Sequence, residues 1–218
     1  MYKAILIAHI IIGAVALLSG LVAIISSKGK RVHNTAGKAY YISMYGVALS
    51  ALIMTLIRFN PFLLSIAIFS FYMTYGGKQA IDNWRMKQAY VPTLKHKLPL
   101  YFALLTSLFM VVFPFVVNVP GHQSVVRVLT FFGLIMLLMV VKDIKMYGDA
   151  ANFVPRNKQW LLMHIAKMGG AYIATFTAFL VNNVSIPQGW ILWIAPGIVG
   201  SVLITRASKK WARKLKIA

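Results

Sequence analysis

Residues 159–183, QWLLMHIAKMGGAYIATFTAFLVNN, form an apolar stretch that carries a line of polar and small side chains. About 20 mostly apolar residues cross a bilayer as a helix, so this stretch has the length of a membrane span. On such a helix His164, Ala171, Thr175 and Asn182 fall on one side. A membrane helix turns its polar side away from lipid. We therefore expect His164, Ala171 and Thr175 to contact the first, third or last span of a helix bundle.

The rest of the chain contains six more apolar stretches of comparable length. Hydrophobic residues make up 60% of the chain and charged residues only 12%. A soluble core does not need apolar runs this long, whereas membrane spans do. The sequence predicts an all-α fold, a single transmembrane helical domain over residues 1–218. Its seven spans are expected at residues 4–26, 39–57, 61–81, 98–117, 125–141, 159–181 and 189–205.

The basic residues alternate from one connecting segment to the next. Of the 23 Lys and Arg, 19 lie near the ends of spans 1, 3, 5 and 7 or after them, whereas Lys3, Arg58 and Arg127 lie on the other side and Lys167 lies within span 6. Cytoplasmic loops of membrane proteins carry an excess of Lys and Arg. The pattern predicts an outer N-terminus, a cytoplasmic C-terminus and a multi-pass protein of a bacterial cytoplasmic (inner) membrane.

The net charge of +20 would in a soluble protein suggest a nucleic-acid partner. No recognisable nucleic-acid-binding module is present, and the basic residues lie between and after the spans. Such residues orient a membrane protein and attract anionic lipid headgroups. The sequence therefore predicts no nucleic-acid partner and contact with anionic lipids at the cytoplasmic face.

Few residues suited to catalysis or metal binding are present. The chain has no Cys and no Glu, and we expect its three carboxylates, Asp82, Asp143 and Asp149, in loops. Paired-carboxylate catalysis and intramembrane acid relays are thereby disfavoured. A zinc site would need about three converging ligands, and no His-x3-His spacing supports one. The sequence predicts no metal site and points to no particular reaction.

A short pattern at the start of the second span has a counterpart in a known family. The segment KGKRVHNTAGKAYY, residues 28–41, places His33, Gly37 and Tyr40 in a His-x3-Gly-x2-Tyr spacing. Together with His9, Gly13 and Gly20 of span 1, this pattern resembles a bacterial integral-membrane family, domain of unknown function 2306, over roughly residues 9–80. The resemblance implies a multi-span membrane protein and supplies no reaction.

Polar side chains gather toward the predicted cytoplasmic ends of spans 3 and 6. Antiparallel neighbouring helices would bring these ends to the same depth, and a set rich in hydrogen-bond donors suits a ligand with acceptor atoms. The sequence predicts a cytoplasm-facing pocket for a small anionic or amphipathic ligand, of which a lipid is one candidate, in a protein that could act as a carrier. The expected ligand-binding residues are His33, Tyr72, Tyr75, Lys78, Gln79, His164 and Lys167.

Two other functions remain open from the sequence. Two His from different spans can ligate haem, and His9, His96 and His164 are the candidates, with His33 and His122 also available. That reading would make the protein a transmembrane oxidoreductase. The other alternative is an accessory subunit that packs against a partner membrane protein. Independently of function, Pro114 and Pro196 predict bends within spans 4 and 7, because each removes a backbone donor.

Overall fold

A computed structural model describes residues 1–116 and 123–215, without the side chains of residues 123–127. Within these ranges the chain is all-helical and contains no strand. Its seven α-helices and one 3-10 helix (η1) are α1 Tyr2–Ile25, α2 Arg31–Ile57, α3 Pro61–Arg85, α4 Leu94–Val116, α5 Gln123–Gly148, η1 Ala150–Asn152, α6 Lys158–Asn183 and α7 Trp190–Lys214.

Each predicted span coincides with one α-helix, but several helices are longer than the apolar stretch that predicts them. α2 begins at Arg31 rather than at residue 39, and α7 continues to Lys214 rather than ending at residue 205. A helix that has formed adds one backbone hydrogen bond for each further residue, so it extends past the apolar signal. The polar ends of these helices are therefore ordered segments that apolar patterning does not reveal.

Among the residues that the structure describes, four helices, α1, α2, α4 and α7, are long and apolar enough to cross a membrane. Large apolar side chains such as Ile7, Leu18 and Phe102 are exposed on their surfaces. Exposed apolar residues at this density are typical of a lipid-facing surface. The side chains buried in α2, by contrast, are mostly small or polar, or methionine.

The chain forms two compact units, and each contains segments that are distant in sequence. Unit 1 comprises Met1–Tyr75 and Lys167–Thr205, and unit 2 comprises Gly76–Ala166 and Arg206–Ala218. The predicted single transmembrane domain stays a prediction.

Glycines allow the helices of unit 1 to approach closely. A β-carbon on Gly20 of α1 would lie 2.6 Å from the ring of Tyr172 in α6 and 2.9 Å from the ring of Tyr40 in α2. α6 and α7 interlock in the same way, with Gly169 opposite Ile204 and Gly200 opposite Ile173. Close backbone approach at small residues is a main source of helix association in membranes.

Unit 2 combines the α4–α5 pair with a cluster of buried and half-buried aromatic rings. In this aromatic cluster, formed by Tyr90, Tyr147, Phe153 and Trp160, neighbouring ring centroids lie 4.9–5.4 Å apart. The Trp160 indole donates to the carbonyl of Asn152 over 2.7 Å. The cluster thus ties α5 and η1 to the start of α6 and to the α3–α4 connection.

Pro99 and Pro114 lie inside α4, and Pro196 lies inside α7. Both helices continue past these prolines. The bends expected at Pro114 and Pro196 stay predictions.

Candidate functional site

The part of α6 that belongs to unit 1 begins with a buried cation. The Lys167 side chain is only 1% exposed, and its Nζ lies 3.7 Å from the centroid of the Tyr72 ring. A cation over the face of an aromatic ring is attracted by the ring's electron density, and this attraction is stronger away from water. α3 and α6 are therefore neighbours within unit 1, as the sequence predicts.

Two buried hydroxyl groups lie in the same unit. Thr74 of α3 is 0% exposed and Tyr40 of α2 is 4% exposed. Neither hydroxyl has a hydrogen-bond partner within the part of the chain that the structure describes. The Tyr40 hydroxyl faces Thr175 of α6. Because buried polar groups are nearly always hydrogen-bonded, each of these hydroxyls is suited to an added acceptor atom.

The predicted inward line of α6 is confirmed over most of its length. Ala171 is fully buried, and the Thr175 hydroxyl donates to the carbonyl of Ala171 and lies 3.2 Å from the sulfur of Met44. Met44 belongs to α2, whereas the sequence predicted a contact of Thr175 with the first, third or last span. The line ends before Asn182, which is exposed and donates to the carbonyl of Ala178.

His164 belongs to unit 2, where it contacts the end of α3. Its Nδ1 lies 2.8 Å from the carbonyl oxygen of Gly77. A carbonyl only accepts hydrogen bonds, so Nδ1 carries the hydrogen in this contact. The bond fixes the orientation of the imidazole.

The expectation that Asp82 lies in a loop is wrong, because Asp82 lies within α3. Lys78 forms an ion pair with Asp82, one turn further along the same helix. The sequence placed the end of span 3 at residue 81, but α3 continues to Arg85 and brings Asp82 onto the face of Lys78. Asp143 is likewise not a loop residue, since it lies in α5 and is 7% exposed.

The remaining predicted ligand residues lie in different surroundings. The half-buried ring of Tyr75 stacks on Phe71, with centroids 5.7 Å apart, in unit 1. Gln79 is half-buried in unit 2. Their roles in ligand binding stay predictions.

His33 helps to complete the end of α1. Its Nδ1 donates to the carbonyl of Ala23 over 2.9 Å, and the Lys28 ammonium donates to the same carbonyl over 2.8 Å. The last carbonyls of a helix lack partners within the helix, and a cation there is also favoured by the helix dipole. Partial burial lowers the pKa of Lys28. These contacts give His33 a structural role that does not require a ligand.

The histidines considered for haem have separate local partners. His9 is bonded to Ser50 of α2 over 2.8 Å, in unit 1. His96 lies in unit 2, where its Nδ1 is 2.9 Å from the hydroxyl of Thr93. His122 lies outside the described residues. Residues 1–116 and 123–215 contain no group of three metal-ligating side chains, but haem needs only two, so the haem alternative stays a prediction.

Comparison of the chain with protein-family models, with curated proteins and with solved structures finds no match. The resemblance of residues 9–80 to domain of unknown function 2306 stays a prediction.

Proposed function

We propose that the chain is a seven-span protein of a bacterial cytoplasmic membrane, with its N-terminus outside and its C-terminus in the cytoplasm. Four of its α-helices are long and apolar enough to cross a membrane. The other three, α3, α5 and α6, have 25 or 26 residues, a length of about 38 Å that exceeds a hydrocarbon core of about 30 Å. The alternation of the basic residues supports the orientation.

We further propose that unit 1 binds a small anionic or amphipathic ligand, with Lys167 as the residue that recognises its negative charge. The observation that carries this proposal is the buried Lys167 ammonium held against the Tyr72 ring. An ionisable side chain at depth in a membrane helix is by default a functional residue. The aromatic ring holds the cation in one place, and the low dielectric of the interior strengthens its attraction for an anion.

Other residues of unit 1 supply the remaining features of such a site. The buried hydroxyls of Tyr40 and Thr74 offer hydrogen bonds to oxygen atoms of a ligand. Met44 and Met73 of the same unit are buried and offer adaptable apolar contacts. A ligand with an anionic group and an apolar part fits this combination, and alternating access to such a site would make the protein a carrier.

The proposal is tested by identifying the compounds that co-purify with the protein and with two of its variants. Lys167→Met keeps a long apolar side chain and removes the charge, whereas Lys158→Met makes the same change at an exposed position of the same helix. Solvent extracts of the two variants and of the unaltered protein are compared by mass spectrometry. We expect one anionic compound in near-stoichiometric amount that Lys167→Met loses and Lys158→Met retains. Identical extracts from all three proteins would refute the proposal.

A further inference from the structure

The C-terminal end of α3 carries two buried hydrogen-bond donors at consecutive residues. Asn83 is 4% exposed, and its side-chain nitrogen has no hydrogen-bond partner within the part of the chain that the structure describes. The same is true of the Trp84 indole nitrogen, which is buried although the Trp84 side chain as a whole is partly exposed. Buried polar groups are nearly always hydrogen-bonded, so both donors are suited to an acceptor from outside the chain.

The segment between η1 and α6 is bonded to this end of α3 at two points. The Tyr90 hydroxyl donates to the side-chain oxygen of Asn83 over 2.8 Å, and the Tyr90 backbone nitrogen donates to the carbonyl of Phe153 over 3.2 Å. The backbone nitrogen of Arg156 donates to the carbonyl of Trp84 over 3.3 Å. All five residues belong to unit 2. The segment is therefore bonded directly to Trp84 and, through Tyr90, to Asn83.

The guanidinium group of Arg156 adds a positive charge at the Trp84 ring. Its central carbon lies 4.2 Å from the centroid of that ring, whose indole nitrogen is one of the two buried donors. A guanidinium group that stacks on an aromatic face keeps N–H groups at its edges for further bonds. Arg156 adopts a left-handed backbone conformation, with a φ of 60°, which is uncommon for a residue with a long side chain. Such conformations cluster at ligand sites.

The carboxylates nearest in sequence to these donors are bonded elsewhere. Asp82 forms an ion pair with Lys78, and Asp149 accepts a hydrogen bond from the backbone nitrogen of Ala151. The end of α3 thus combines two neutral donors with one cation, a set that suits an oxyanion. Consecutive helical residues project about 100° apart, so the neutral donors approach from different directions. A tetrahedral phosphate accepts from several directions, whereas the two oxygens of a carboxylate lie in one plane.

We propose that Asn83, Trp84 and Arg156 bind a phosphate group. The guanidinium group supplies the charge, and the amide and the indole each supply a hydrogen bond to a phosphate oxygen. Inorganic phosphate and the phosphate of a phospholipid headgroup share this chemistry, and the test separates the two. The site lies within unit 2 and does not involve Lys167 of unit 1, so this proposal and the proposed function fail independently.

The test observes the indole N–H of Trp84 by NMR. The full chain in detergent is isotopically labelled at the indole nitrogens of its five tryptophans, and Trp84→Phe identifies the Trp84 signal. The probes are inorganic phosphate and phosphatidylglycerol, each compared with sodium chloride at the same ionic strength. We expect a downfield shift of the Trp84 proton as its hydrogen bond forms. The Trp160 signal should stay in place, because that indole already donates to Asn152.

The two probes separate the sources of the phosphate. A shift with inorganic phosphate supports a site for the free anion, and a shift with phosphatidylglycerol alone supports a site for a lipid headgroup. A Trp84 signal that neither probe moves, or that sodium chloride moves equally, would overturn the proposal.

Two matched variants test the charge. Arg156→Asn removes the guanidinium group, and asparagine tolerates the left-handed conformation. Lys158→Asn removes the same charge from an exposed position two residues further on. We expect Arg156→Asn to weaken binding of the active probe about tenfold, while Lys158→Asn stays within about twofold of the unaltered chain. Equal weakening in both variants would overturn the role of Arg156.

A third variant tests the buried amide. Asn83→Asp keeps the oxygen that accepts from Tyr90 and replaces the donor nitrogen with an oxygen that repels a phosphate. We expect the Trp84 shift to be lost while the other four tryptophan signals keep their positions, which shows that the fold is intact. A Trp84 shift of unchanged size in this variant would overturn the assignment of Asn83 to the site.

Discussion

The imidazole of His164 donates through Nδ1 to the backbone carbonyl of Gly77, over 2.8 Å, and so joins α6 to the C-terminal part of α3. The two adjacent glycines, Gly76 and Gly77, are both buried and leave no β-carbon between the helices at this point. A carbonyl inside a helix has a second lone pair available after its own helical bond. The contact therefore adds an interhelical bond without breaking α3.

Replacing His164 should weaken this connection. We expect His164→Leu to lower the free energy of unfolding by about 1 kcal/mol, because an apolar side chain of similar size cannot donate to Gly77. His164→Gln carries an amide donor and should lose less. Thermal unfolding in detergent gives the melting temperatures of the three proteins, and we expect the unaltered chain to be highest and His164→Leu lowest. Equal melting temperatures for the Leu variant and the unaltered chain would contradict the prediction.

The contact of α4 with α5 should tolerate no side chain at Gly133. A β-carbon there would lie 2.7 Å from the β-carbon of Met110 and 3.1 Å from the backbone nitrogen of Val111, atoms that cannot move without the helix. We expect Gly133→Ala to cost about 1–3 kcal/mol of stability through overpacking. Gly197→Ala is the control, since a β-carbon there meets nothing within 4 Å. A fall in melting temperature of the same size for both variants would contradict the packing argument.

The aromatic cluster should be a main source of stability in unit 2. Trp160 is 0% exposed, so Trp160→Ala should cost about 3–5 kcal/mol. Trp160→Phe keeps most of the ring and loses the bond to Asn152, for which we expect about 1 kcal/mol. Trp190→Ala, at a side chain that is 61% exposed, should change little. Limited proteolysis near residues 149–157 should accelerate only for the Trp160 variants, and resistance equal to that of the unaltered chain would contradict this assignment.

The proposed orientation follows from the basic residues. A reporter that is active only in the periplasm should be silent when fused after Ala218 and active when inserted within residues 118–124, because 19 of the basic residues lie in the segments predicted to be cytoplasmic. Reporter activity on a panel of such fusions is the measurement. The opposite pattern would exclude the proposed topology.

The seven helices could be predicted because each contains an apolar run of membrane length, which depends on local sequence alone. The ends of the helices could not be predicted in this way. The first residues of α2 and the last residues of α7 are polar, yet they continue the helix through backbone hydrogen bonds. This error also concealed the ion pair of Lys78 with Asp82, which exists because α3 continues beyond residue 81. Patterning thus places helices more accurately than it places their ends.

The candidate site was predictable only in part. The side of α6 that carries His164 and Thr175 follows from helical periodicity, and the structure turns both inward. The sequence could predict that Lys167 and Tyr72 lie on neighbouring helices, but it could not predict the contact between the ammonium group and the ring. The aromatic cluster left no pattern in the sequence, because it joins residues from two helices and two connecting segments that only tertiary packing brings together.

Unit 1 joins the first 75 residues of the chain to residues 167–205, and this has a consequence for biosynthesis. A ribosome adds about 5–20 residues per second, so Tyr172 emerges on the order of ten seconds after Gly20, the residue against which its ring packs. During that interval Gly20 of α1 has Tyr40 of α2 as a neighbour but lacks the ring of Tyr172. Assembly of unit 1 is therefore completed only after α6 and α7 have been synthesised.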